Sequence, residues 1–363
     1  MVFAEQVTFC KRLYNARNLT IKNIGLKMKA AFYVAPNQME IHEYETPSPE
    51  LGEVLVKIRA TGICGSDLNM NLAKTGPDIA PSGHEIAGEI VDVGKGVSSE
   101  NIGKKVAVDG IGTGKACFKC WYCRQGQYIH CPDKNTRSSG GFAEYVSKDL
   151  RGCFEISDSM NWEEAALVEP LAVSVHGARI GNLRGGETVA IVGSGTIGLT
   201  SITAAKELGA GQIFVSARHK QQEEMALKLG ATAVSSSEEN QLEELVLDHT
   251  NGRGADLTLE TVGGSTSATL SQSMNVTRRQ GRVVILGVFY GNQAIDWNGP
   301  VLKELTVQGS SCYGLVDGIH DYEASVEILS RPHVNLQEIV THRFSLDDIQ
   351  KGFEAAYDKK TGS

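Results

Sequence analysis

The sequence predicts an α/β protein in which an irregular, mostly β region is followed by a doubly wound parallel sheet with helices on both faces. Three observations carry that expectation. Residues 28 to about 170 hold short apolar runs punctuated by Gly and Pro, at 54–58, 86–93 and 105–108, a pattern of strands separated by turns. From about 171 to 312 apolar runs at 188–192, 212–216, 256–260 and 282–286 alternate with helical stretches, one running through Leu208 and one over 221–229. The chain of 363 residues is longer than one core usually supports, so two domains with a ligand cleft between them are expected.

Composition narrows the function classes. Hydrophobic content of 41% and charged content of 21% fit a globular protein. A formal net charge of −8 gives no electrostatic reason to expect nucleic-acid or anionic-membrane binding. No apolar run reaches the roughly 18 residues that a membrane span needs. The eight cysteines include a tight cluster, which without a secretory signal reads as metal binding in a cytoplasmic protein rather than as disulfides.

Taken in chain order, residues 1–27 form an N-terminal extension without a clear core pattern and are set outside the fold. They contain Lys11, Arg12, Arg17 and Lys22 against one acid, Glu5, which also resembles a transit leader. Met28-Lys29-Ala30-Ala31 opens the first strand. Cys117, Cys120, Cys123 and Cys131 follow as Cys-x2-Cys-x2-Cys-x7-Cys, enough thiolates to close a tetrahedral zinc shell, which is a structural site. An iron–sulfur cluster would use the same count, but the ferredoxin run has a three-residue final gap, so Cys131-Pro132 matches it only incompletely.

Gly193-Ser194-Gly195-Thr196-Ile197-Gly198 follows an apolar strand and opens a helix, the context in which this pattern binds a dinucleotide. The first glycine permits the tight turn, the second lets backbone approach pyrophosphate, and the third lets helix pack on sheet, with phosphate at the helix N-terminus. About 20 residues on, an NAD enzyme of this Rossmann type places an acid on the ribose 2′-hydroxyl. Here Ser216-Ala217-Arg218-His219-Lys220 has none. Ala217 would leave the 2′-phosphate of NADP unopposed, and Arg218 would grip it through a charge-assisted contact, unless these residues are only a solvated helix start.

Further groups are individually weak: Gly62-Ile63-Cys64-Gly65-Ser66-Asp67, Gly83-His84-Glu85, Gly140-Gly141-Phe142-Ala143-Glu144-Tyr145 and Glu169-Pro170-Leu171. Together with the cysteine lobe and the glycine-rich turn, they make the chain resemble the zinc-containing medium-chain dehydrogenase family over nearly all of residues 28–363. The nearest likeness is to its sorbitol, butanediol and threonine dehydrogenase branch. Ile295-Asp296-Trp297 and the tail Thr341-His342-Arg343-Phe344-Ser345-Leu346-Asp347-Asp348 resemble the threonine dehydrogenases in particular.

The resemblance implies a GroES-like catalytic domain from residues 28–170 and 313–363, a Rossmann domain from 171–312, and a homodimer or homotetramer. It implies a catalytic zinc held by Cys64, His84 and Glu169, with Glu85 an additional or alternating ligand or a close acid, and so two zinc ions per chain. Ser66 would accept the alcohol proton and Asp67 would orient His84. Three departures bear on this. Asn69 stands where many relatives have a relay histidine, Cys312 replaces an arginine with which sorbitol dehydrogenases hold a polyol, and the chain ends at Ser363 before an expected final strand. The function expected is hydride transfer between a secondary alcohol (polyol, diol or cyclic alcohol) or its ketone and NADP rather than NAD. The alternatives are an NAD-dependent threonine 3-dehydrogenase-like enzyme and a non-catalytic zinc-binding protein.

Overall fold

A computed structural model describes residues 2–5, 26–72, 78–136, 139–238 and 240–358, so the basic residues at 11, 12, 17 and 22 and the end at 360–362 lie outside the described residues. Two compact units emerge, one ending at Glu169 and resumed from Val340, the other Pro170–Ile339. The α/β class and the order of its two halves agree with the sequence expectation.

Among the described residues, eight strands precede residue 170: β1 (Val2–Glu5), β2 (Lys27–Ala35), β3 (Gln38–Glu45), β4 (Glu53–Gly62), β5 (Glu85–Val93), β6 (Lys105–Asp109), β7 (Tyr145–Asp149) and β8 (Cys153–Glu155). β4, β5, β6 and β8 pair antiparallel in that order, and β7 also pairs with β4. Alternate residues Val54, Val56 and Ile58 of β4 meet Ile86, Ile90, Val106, Val108 and Val146 in one buried cluster. That alternation is the two-residue period of a strand. A second cluster joins Tyr33, Met39, Ile63 and Phe142 to Ile349, Phe353 and Ala356, which share one face of the helix Ile349–Tyr357.

The other unit is a six-stranded parallel sheet of β9 (Thr188–Val192), β10 (Gln212–Ala217), β11 (Ala233–Ser236), β12 (Ala255–Glu260), β13 (Thr277–Ile285) and β14 (Thr306–Gly309). Its order is β11-β10-β9-β12-β13-β14, so the chain winds outward from β9 in one direction and then in the other. Every residue of β9 and β12 is buried, as a sheet covered on both faces requires. The order of winding reverses between β9 and β12, the switch point at which such sheets bind ligands.

Two departures from the sequence reading concern the ends. The return to the first unit comes at Val340, whereas residue 313 was expected. The intervening stretch, with its small hairpin β15 (Leu315–Val316) and β16 (Ile319–His320), is fixed to the second unit by a fully buried carboxylate. Asp321 accepts from Arg179 Nη1 at 2.6 Å and the Gly314 amide at 2.9 Å, and lies 2.7 Å from His176 Nδ1. Residues 1–27 were set outside the fold, yet Val2–Glu5 enters it. β1 lies between β4, which it meets antiparallel through Phe3↔Gly62, and β17 (His342–Ser345), which it meets parallel through Phe3↔Arg343.

Candidate functional site

The strand register gathers the residues of the first site. β4 and β5 pair antiparallel with Gly62 opposite Glu85, so Cys64, just past the end of β4, faces His84 and Glu85 at the start of β5. The ligand atoms of Cys64, His84 and Glu85 lie within 4.8 Å of one another. Asp67 stands in the first turn of the helix Gly65–Leu72, fully buried. Its Oδ2 accepts the Cys64 amide at 2.9 Å, and its Oδ1 lies 3.8 Å from His84 Nδ1. Glu169, buried in the first turn of the helix Val168–Ile180, falls outside the tight three-residue group, but its charge acts on both His84 and Glu85. Ser66 and Asn69 are exposed.

The electrostatics of this cluster call for a cation. Burial pushes the Glu85 carboxyl up to about 8, and the Glu169 carboxylate pushes in the same direction. Burial also raises the Cys64 thiol. For His84 burial acts downward, but Asp67, Cys64 and Glu169 outweigh it and hold the imidazole well above its ordinary value. Glu85 Oε2 is buried without a hydrogen-bond partner. An orphaned acid oxygen beside a thiol, an imidazole and a second acid is a donor set that suits Zn²⁺, whose charge one thiolate and one carboxylate balance.

Two tyrosines absent from the sequence reading support the helix that carries Ser66 and Asp67. Tyr33, 2% exposed, donates its hydroxyl to the Asp67 carbonyl at 3.2 Å and stands 3.5 Å from Asp67 Oδ1. Tyr357 donates to the Leu68 carbonyl at 2.8 Å. Burial and the nearby Asp67 charge raise the Tyr33 phenol, so it stays a protonated donor.

The four lobe cysteines also converge, with their sulfurs within 4.8 Å of one another and no disulfide. The Cys123 amide faces Cys120 Sγ at 3.4 Å, and the Cys117 amide faces Cys131 Sγ at 3.4 Å. The environment splits the thiols. The Lys119 amide, with others, draws Cys117 down to about 7, while burial and the neighbouring thiols push Cys123 up to about 12. Four sulfurs with amide donors aimed at them, and no further side chain in the group, fit a closed tetrahedral metal site.

The glycine-rich turn follows β9 in the second unit. Gly193 has φ +99°, a conformation that favours glycine, and a Cβ on Gly198 would lie 2.2 Å from the Gly193 carbonyl oxygen. A Cβ on Gly195 would meet nothing within 4 Å, so the backbone opening the helix Thr196–Glu207 is free to meet a ligand. The first intrahelical bond runs from Leu199 N–H to Gly195 C=O, which leaves the amides of residues 196–198 ahead of the ladder, where an anion binds. β10 ends at Ala217, buried, and Arg218 follows exposed, with no partner among the described residues.

Comparison with known proteins agrees with both halves. The alcohol dehydrogenase GroES-like domain matches residues 50–158, and the zinc-binding dehydrogenase model matches residues 196–331. The chain is similar to sorbitol dehydrogenase of Bacillus subtilis (strain 168), 35% identical over 92% of this chain and 94% of that protein. It is equally similar to L-threonine 3-dehydrogenase of Pyrococcus abyssi, 35% identical over 89% of this chain and 93% of that protein. Among solved structures, a zinc-binding dehydrogenase of Sinorhizobium meliloti 1021 bound to NADP superposes with a TM-score of 0.78 at 26% identity, covering 90% of this chain and 95% of the other. An alcohol dehydrogenase of Escherichia coli CFT073 with NADH superposes with a TM-score of 0.81 at 25% identity, covering 93% and 97%. Motifs, fold and relatives converge, and the chain belongs to the zinc-type medium-chain alcohol dehydrogenase family, oxidoreductases acting on CH–OH groups.

Proposed function

We propose that this protein is a zinc- and NADP-dependent oxidoreductase that interconverts a secondary alcohol, such as a polyol, diol or cyclic alcohol, and its ketone. The observation that carries the cofactor choice is Ala217, a buried neutral residue at the end of β10, followed by the exposed Arg218, which has no partner among the described residues. A carboxylate there would repel the 2′-phosphate, whereas a guanidinium attracts it. Cys64, His84 and Glu169 would hold the catalytic zinc, with Glu85 as an additional or alternating ligand, and the four lobe cysteines would hold a second zinc.

The chain's own residues then have distinct tasks. Asp67 stands on the Nδ1 side of His84 and fixes the ring, leaving Nε2 as the ligating nitrogen. Bound zinc supplies the Lewis acidity that lowers the pKa of an alcohol hydroxyl. Ser66 takes the released proton at Oγ and passes it to water, because Asn69 carries no titratable group. Gly195 and the amides of 196–198 hold the pyrophosphate.

Cys64→Ser and His84→Ala test the zinc assignment. Each removes most turnover and one zinc per chain while leaving dinucleotide binding nearly intact, and full turnover in either variant contradicts it. A second reading, an NAD-linked threonine 3-dehydrogenase-like enzyme, is favoured by the tail 341–348 and by the similarity to the Pyrococcus abyssi protein. Turnover of threonine with NAD exceeding that of diols, polyols and cyclic alcohols with NADP would select it. A homodimer or homotetramer is the assembly that accompanies the proposal, and sedimentation tests it.

A further inference from the structure

Gln222 has a hydrogen-bonding pattern that none of these roles uses. It is the third residue of the helix Lys220–Leu229 and half-buried. Its Oε1 accepts two hydrogen bonds at 3.3 Å each, from Ser194 Oγ and from the His219 amide. A backbone N–H only donates, so the side-chain atom that faces His219 is the oxygen and the amide orientation is settled. The Nε2 group therefore points away from both, with two N–H donors and no acceptor among the described residues.

The place of this amide matters as much as its orientation. Gln222 joins the glycine-rich turn, through Ser194, to the segment after β10, through His219. Ser216, within β10, also holds the turn, its Oγ accepting the Gly193 amide at 2.9 Å. In a doubly wound fold the adenosine ribose lies beside these two elements, with the residue at the end of the second strand reading its 2′ position. Glutamate would cap this helix as well as glutamine does and would suit the helix dipole better. Only the amide brings donors rather than a negative charge to the 2′ position.

We propose that Gln222 is a specificity-determining residue of the dinucleotide site: its Nε2 donates to the 2′-phosphate of NADP beside Arg218, while its Oε1 holds the glycine-rich turn in register with the β10 end. The proposal rests on the NADP reading. Gln222→Glu is isosteric, keeps the Oε1 acceptor for Ser194 and His219, and preserves the helix cap, so the chain folds. Dissociation constants for NADPH and NADH, from quenching of nicotinamide fluorescence, are compared for wild type, Gln222→Glu and Arg218→Ala.

The expected result is that Gln222→Glu weakens NADPH by about tenfold or more and leaves NADH within about twofold, since a charge-assisted donor is replaced by a repelling acid. Unchanged NADPH binding in Gln222→Glu, with weakened NADPH binding in Arg218→Ala, overturns the role of Gln222 and leaves the NADP reading standing. Equal weakening of both nucleotides in Gln222→Glu shows only a part in shaping the turn and overturns the specificity role. A wild type that binds NADH more tightly, with NADPH indifferent to Arg218→Ala, removes the NADP reading and Gln222 with it.

Discussion

Tyr33 acts on the candidate zinc site without belonging to it. Its hydroxyl meets the backbone of Asp67, whose carboxylate takes the Cys64 amide and stands beside His84. Removing a buried hydroxyl leaves its acceptor short of a donor, at a cost of about 1–3 kcal/mol, and outer-shell partners commonly change metal affinity by about tenfold or more. Tyr33→Phe should therefore keep the ring packing, lower stability modestly, and release the catalytic zinc to a competing chelator several-fold faster; a release rate equal to wild type would show that the hydroxyl does not reach the site. Gly62-Ile63-Cys64-Gly65 and Gly83-His84-Glu85 are weak signals singly, and only the family resemblance joins Cys64, His84 and Glu85, whose ligand atoms the structure brings within 4.8 Å of one another. Tyr33 is not marked in the sequence, because it lies 34 residues from Asp67 in a strand with no motif around it. Glu169, which the resemblance places with Cys64, His84 and Glu85, lies outside that tight group.

At the level of elements, the inner strands of the parallel sheet are legible in the sequence and β1 is not. β9 falls on residues 188–192, as its apolar run indicated, because a strand buried on both faces writes itself as continuous hydrophobic sequence. β1 has no such signature. It is four residues long, and its partner on one side, β17, lies some 340 positions away (Val2↔His342), so only tertiary pairing defines it. A chain beginning at Met28 would leave β4 and β17 with unpaired edges. Its melting temperature should fall by about 2–4 °C for each kcal/mol lost, accompanied by aggregation; an unchanged melting temperature would mean that β1 contributes nothing. The cysteine lobe gives the opposite kind of element, one defined by local spacing. Cys120→Ser opens a closed four-sulfur site, so the variant should lose one zinc and unfold or assemble poorly before it loses chemistry, and a folded variant with unchanged zinc content would refute the structural role.

Across the whole molecule, the two proposed metals and the proposed dinucleotide should separate under stress. A chelator should withdraw zinc in two phases. The first abolishes turnover while NADPH still binds, and the second, from the lobe, lowers the melting temperature; a single phase that removes all three properties together would contradict independent sites. The doubly wound class of the second unit was legible from the alternation of strands and helices. The point of return at Val340 was not, because the hold of Asp321 on Arg179 and His176 depends on residues some 140 positions apart. The proposed function combines dehydrogenase chemistry with NADP. The decisive comparison is kcat/KM for NADP and NAD with one secondary alcohol, in wild type and in the double variant Ala217→Asp, Arg218→Leu. A charge-assisted contact at an exposed guanidinium contributes about 1.5 kcal/mol, so wild type should prefer NADP by roughly tenfold. The double variant should prefer NAD, because its new carboxylate repels the phosphate and accepts from the free ribose hydroxyl; a wild type more efficient with NAD than with NADP would contradict the account.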